Sequence, residues 1–172
     1  MGPIELIFLT TFIIFGVIGV TRGYGRELGV TTMLFIALFV IELVDERYQE
    51  PFTRLLTTFA GTDEPAQAAA RALIYCVIIL VITFISYEGE TLSFPGKRGR
   101  VFFDLGSGLL NGYLFAGSLW YYLDQAGWPI LKPVGEFSDF YKAMVNFLPP
   151  AVFTWQYLIA LAVIMLIARI WK

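Results

Sequence analysis

An all-α membrane protein is the fold class this sequence predicts: about five transmembrane helices, the first two as a hairpin, with two short interfacial amphipathic helices. Three observations predict it. The 172 residues are 58% hydrophobic and only 15% charged, with mean hydropathy +0.71, whereas a soluble domain carries about a quarter charged residues. The apolar residues fall in continuous runs rather than in the alternation of barrel strands. Each run approaches the roughly 17–25 residues that carry a helix across a hydrocarbon core of ~30 Å.

The expected spans are residues 4–21, 28–44, 66–87, 105–123 and 151–168, in one integral membrane domain covering 1–172. The first lacks both the basic residues and the small-x-small cleavage site of a signal peptide, so it reads as a retained span. Between the first two lies a compact charged turn, Arg22-Gly23-Tyr24-Gly25-Arg26-Glu27. The second span is the shortest and the third carries Arg71 near its start. The fourth is rich in small residues, and Pro149-Pro150 opens the fifth. Residues 46–60 and 136–148 have apolar side chains at helical spacing: Phe52, Leu55, Leu56 and Phe59 in one, Phe137, Phe140, Tyr141, Met144, Phe147 and Leu148 in the other. Both read as amphipathic helices lying in the interface. Trp120, Tyr121, Tyr122 and Trp128 read as the outer aromatic belt, and Trp171 as the inner one.

Five spans divide the charges unevenly. Arg22, Arg26, Lys97, Arg98, Arg100, Arg169 and Lys172 share one side with four acidic residues; Arg47, Arg54, Arg71, Lys132 and Lys142 share the other with ten. The positive-inside rule makes the first side cytoplasmic, with the N-terminus outside and the C-terminus inside. Net charge is −2, and without a basic block there is no reason to expect nucleic acid as a partner.

Histidine is absent and Cys76 is the only cysteine. An intramolecular disulfide, a Cys/His zinc site and a His-ligated haem or chlorophyll are excluded, as is imidazole acid–base chemistry. Cys76 reads as a small buried hydrophobe. No nucleophile has an obvious base, and neither G-x-S-x-G nor S-x-x-K occurs. The Gly96-Lys97 pair lacks the rest of a P-loop, so residues 94–100 read as a basic loop anchored on anionic headgroups. No catalytic, metal-binding or cofactor-binding residue is expected.

The polar and small residues of the spans are the remaining candidates. Gly108, Gly112 and Ala116 recur every four positions and line one helical face, a packing surface for a close neighbour, with Asn111 beside it to hydrogen-bond across helices. Glu42 is the deepest ionisable side chain, and an intramembrane Glu42–Arg71 pair is conceivable near the outer face.

The first span, Gly19-Val20-Thr21-Arg22-Gly23-Tyr24-Gly25-Arg26-Glu27 and the second span together resemble the opening of the colicin V production (CvpA) family. Asp104, Gly108, Asn111 and Gly112 resemble the pattern that opens that family's fourth helix. The resemblance covers about residues 4–44 and 101–123, and it departs from the family in its fifth span. It implies a bacterial inner-membrane protein with no established chemistry, in which Arg22, Gly23, Arg26, Gly108 and Gly112 are motif positions. The reading that follows is a non-enzymatic membrane protein acting through helix–helix assembly, with lipids and other membrane subunits as partners, in a homo-oligomer or a hetero-complex. Two alternatives stand beside it: an accessory scaffold subunit of a respiratory or photosynthetic complex, and a small oligomeric transporter with Glu42, Arg71 and Asn111 near a path.

Overall fold

The computed structural model describes residues 2–89, 92–94, 101–130 and 137–171. Among these, helices are the only regular structure: α1 Pro3–Arg22, α2 Tyr24–Arg47, α3 Gln49–Ala60, α4 Glu64–Glu88, α5 Val101–Gln125, α6 Asp139–Val145, α7 Pro149–Val152 and α8 Trp155–Ile170. Three of them, α1, α2 and α4, are long and apolar enough to cross a membrane. α5 has the length, with 25 residues, but its glycines, serines, Asn111 and Asp104 make it less apolar. α8, at 16 residues, extends only about 24 Å at 1.5 Å per residue.

α2 and α5 form the centre. α1 lies along α5, α8 lies along the other side of α2, and α4 packs against both central helices. The apolar stretch of α2 is 56% buried, against 17% for α1 and 28% for α4. α3 caps α4 at the Arg47 end, where its Leu56 is buried and the Phe52 ring stacks on Tyr75 at 5.6 Å. The core runs through Leu34, Leu38, Ile41, Ile79, Leu114 and Leu158, and it includes Cys76.

Polarity is distributed inside out. Glu27, Thr31, Thr32, Asp104, Asn111 and Ser118 are buried, whereas Ile13 and Val17 of α1, Val77 and Phe84 of α4, and Ile164 and Ile167 of α8 face outward. Water would penalise this arrangement through the exposed apolar area, while a lipid solvent favours it because only the polar groups need partners within the protein.

Four expectations change. The charged stretch 22–27 is not an open turn. α1 continues through Arg22 and α2 begins at Tyr24, so Gly23 alone reverses the chain. It does so at φ 88°, ψ 147°, a left-handed conformation that a side chain would strain. The fifth apolar segment is not one helix from 151. Pro149 starts a single turn, α7; the chain then extends through Phe153 and Thr154 before α8. The helix expected over 136–148 is only Asp139–Val145, and it sends Tyr141 inward rather than lying flat. Finally, Trp120, Tyr122 and Trp128 are buried, so they form core and not an outer belt. Trp128 Nε1 donates to the Tyr141 hydroxyl at 2.8 Å, and that hydroxyl donates to Asp124. Burial and then Asp124 push the Tyr141 phenol up to about 12, which keeps it protonated and able to donate. Lys97, Arg98 and Arg100, and with them the proposed basic loop, lie outside the described residues.

Candidate functional site

The two stretches singled out in the sequence, 22–27 and 104–112, meet at the Gly23 end of the bundle. Close approach of α1 and α5 brings them there. Neither glycine at the crossing has room for a methyl group: a Cβ on Gly19 would lie 2.4 Å from the Asp104 carbonyl oxygen, and one on Gly108 would lie 2.3 Å from that of Phe15. One turn further on, a Cβ on Gly112 would lie 2.9 Å from that of Phe15. With backbones this near, dispersion and weak Cα–H hydrogen bonds hold the helices together without any hydrophobic contribution from solvent.

Glu27 is fully buried at the centre of the cluster. Its Oε1 lies 3.1 Å from Arg22 Nε, and that ion pair is the only satisfaction of either atom among the described residues. Its Oε2 accepts from the Tyr87 hydroxyl at 2.8 Å and from Asn111 Nδ2 at 2.9 Å. Asn111 Nδ2 also reaches the Glu27 carbonyl oxygen at 3.0 Å, while Thr31 donates to Asn111 Oδ1 at 2.7 Å. Two acceptors on one side of the amide and a hydroxyl on the other fix its orientation.

Arg22 and Asp104 satisfy helix ends that belong to other elements. Arg22 Nη1 donates at 2.7 Å to the carbonyl of Tyr87, in the last turn of α4, with the guanidinium 4.6 Å over the Tyr87 ring. Asp104 Oδ1 accepts at 2.7 Å from the N–H of Tyr24, the first residue of α2. A cation at a C-terminus and a carboxylate at an N-terminus complement both the orphan backbone groups and the helix dipoles. Ends of α1, α2, α4 and α5 are thereby fastened in one network. No family model, curated protein or solved structure matches the chain.

At the opposite end the structure separates the conceived Glu42–Arg71 pair. Arg71 Nη1 lies 3.5 Å from Asp45, and its Nη2 donates to Thr53 at 3.1 Å. Glu42 instead accepts from the Tyr122 hydroxyl at 3.0 Å. Asp45 is one turn beyond Glu42 on the same helix, and α3 brings Thr53 to Arg71, so the nearer carboxylate takes the cation. Asn111 is eleven positions from Tyr122 on α5, about 16 Å along the helix axis. It therefore belongs to the Gly23-end network and not to this one.

Gly108, Gly112 and Asn111 were all visible as a packing face, and Ala116 is buried on the same helix. Tyr87, Thr31, Asp45 and Tyr122 were missed as partners. Tyr87 and Tyr122 end apolar runs, where a phenol reads as interfacial. Among the described residues no group of three His, Cys, Asp or Glu side chains could hold a metal ion.

Proposed function

We propose that this chain is a non-enzymatic integral membrane protein of the colicin V production type that acts by assembling with copies of itself or with other membrane subunits. One observation carries the reading. Arg22, Gly23, Glu27, Asp104, Gly108, Asn111 and Gly112 are all engaged in holding helices of one chain together, which leaves the apolar faces of α1, α4 and α8 as the surface offered to lipid and partners. α5 and α8 complete five crossings in this reading, with α7 and the extended 153–154 segment lengthening the last. α3 and the 137–148 region lie at the outer interface. Native mass spectrometry after extraction in mild detergent tests it: a homo-oligomer or a stoichiometric unlike partner is expected, and a stable lone monomer contradicts it. An unlike partner would favour the accessory-subunit reading over self-assembly.

The excess of basic residues on the Gly23 side supports a cytoplasmic position for that end, and the family resemblance supports a bacterial inner membrane. α2, of 24 residues, separates that end from α3 by about 36 Å. Thr21 and Glu50 are exposed at the two ends, and the native Cys76 is buried. A membrane-impermeant maleimide should label Glu50→Cys in intact cells and Thr21→Cys only after permeabilisation. The reverse pattern would invert the topology.

A cavity lined by charged and phenolic side chains at the Arg47 end favours the transporter reading.

A further inference from the structure

We propose that the cavity between α2, α4 and α5 at the Arg47 end binds a small organic cation. The cavity holds about 340 Å³ and is lined by Asp45, Glu64, Arg71, Tyr75, Tyr121 and Tyr122, among others. That volume lies in the range of small-molecule sites, which run from about 300 Å³ upward.

Charge selects the ligand. Asp45 and Glu64 line the cavity, and Glu42 sits one turn deeper on α2 behind Tyr122. Arg71 is the one cation in the wall among the described residues, and it is already held from three directions: by Asp45 at 3.5 Å, by Thr53 at 3.1 Å, and by the Phe52 ring 5.6 Å beneath its guanidinium. Two carboxylates thus line the cavity beside one committed guanidinium, and the excess is negative. Both contacts to Asp45, from Arg71 and from the Tyr75 hydroxyl at 2.5 Å, fall on Oδ1. Among the described residues Oδ2 takes no hydrogen bond and is available to a ligand.

The walls suit the same chemistry. Tyr75, Tyr121 and Tyr122 adjoin in the wall, with the Tyr75–Tyr122 and Tyr121–Tyr122 ring centroids 5.1 and 5.4 Å apart, and Tyr121 is the ring left partly open. Aromatic faces beside carboxylates attract ammonium groups, quaternary ones included. An anion would meet the carboxylates, and a purely apolar ligand would strand Asp45, Arg71 and the phenols. A zwitterion would need Arg71 for its carboxylate, and that guanidinium is taken. The proposal holds whether the chain works alone or in an assembly.

Equilibrium binding of radiolabelled choline to the full chain in lipid nanodiscs tests it, with glycine betaine as the competitor that carries the same quaternary ammonium plus a carboxylate. Choline should bind saturably, and glycine betaine should compete at least tenfold more weakly. Asp45→Asn should weaken choline by roughly tenfold, the factor expected for about 1.4 kcal/mol. Glu64→Gln, at an exposed position, should weaken it by a smaller factor. Ala68→Trp, which fills the cavity without changing its charge, should abolish binding while the thermal unfolding midpoint stays at that of the wild type. Absence of saturable choline binding to the wild type would overturn the proposal. So would glycine betaine binding as well as choline, or affinity unchanged in both Glu64→Gln and Ala68→Trp.

Discussion

Gly108→Ala drives α1 away from α5, although the same substitution two residues earlier on the same helix is harmless. A Cβ at Gly108 would lie 2.3 Å from the Phe15 carbonyl oxygen and 2.9 Å from the Gly19 Cα. These are backbone atoms of the facing helix, which cannot rotate aside as a side-chain tip can. Overpacking of this kind costs about 1–3 kcal/mol, and the rigid neighbours put Gly108→Ala at the upper end. A Cβ on Gly106 would have nothing within 4 Å, so Gly106→Ala should be neutral or should gain up to the roughly 0.5–1 kcal/mol by which alanine exceeds glycine in a helix. Thermal unfolding in detergent distinguishes the two. Equal midpoints for both variants would remove the close α1–α5 crossing.

Glu27→Ala has a still larger expected effect. It leaves Arg22, whose side chain is only 23% exposed, without its counter-charge, and it removes the acceptor shared by Tyr87 and Asn111. Breaking one partner of a buried pair costs about 3–5 kcal/mol. Arg22→Met with Glu27→Met should recover much of that loss, since neither buried charge is then unpaired. A stability change below about 1 kcal/mol for Glu27→Ala in chemical denaturation would mean that the network is not holding the helices.

The long apolar runs made the helices legible, because continuous hydrophobicity at membrane length has few other solutions. The i, i+4 spacing of Gly108 and Gly112, with Asn111 adjacent, made the packing face legible too. What could not be read was which helix fills that face: glycine spacing describes a surface and carries no information about its occupant, here Gly19 and Phe15 of α1. The stretch 22–27 misled because charge and glycine usually signal a loop. Helix continues through it since Gly23 absorbs the whole reversal and since Asp104 of α5, 80 positions away along the chain, caps the first N–H of α2. Arg71 found Asp45 and not Glu42 for a similar reason. The two carboxylates lie one turn apart on one helix, and only the placement of α3 decides between them. The aromatic residues near the end of α5 read as a belt, whereas the folded α6 covers Trp120 and Trp128.

The central claim is that the glycine face of α5 is used within one chain. A disulfide reads it out. A Cβ on Gly16 would lie 3.2 Å from Leu109 Cγ, the position a cysteine sulfur would take at 109, within reach of a bridge whose Cβ atoms lie about 3.5–4.5 Å apart. In a Cys76→Ala background, the Gly16→Cys/Leu109→Cys chain should oxidise to an intramolecular disulfide and migrate as a monomer without reductant. Co-expressed single-cysteine chains should form no crosslinked dimer. A Gly16–Leu109 dimer from the co-expressed single variants, with no intramolecular bond in the double variant, would place that face between subunits and contradict the account.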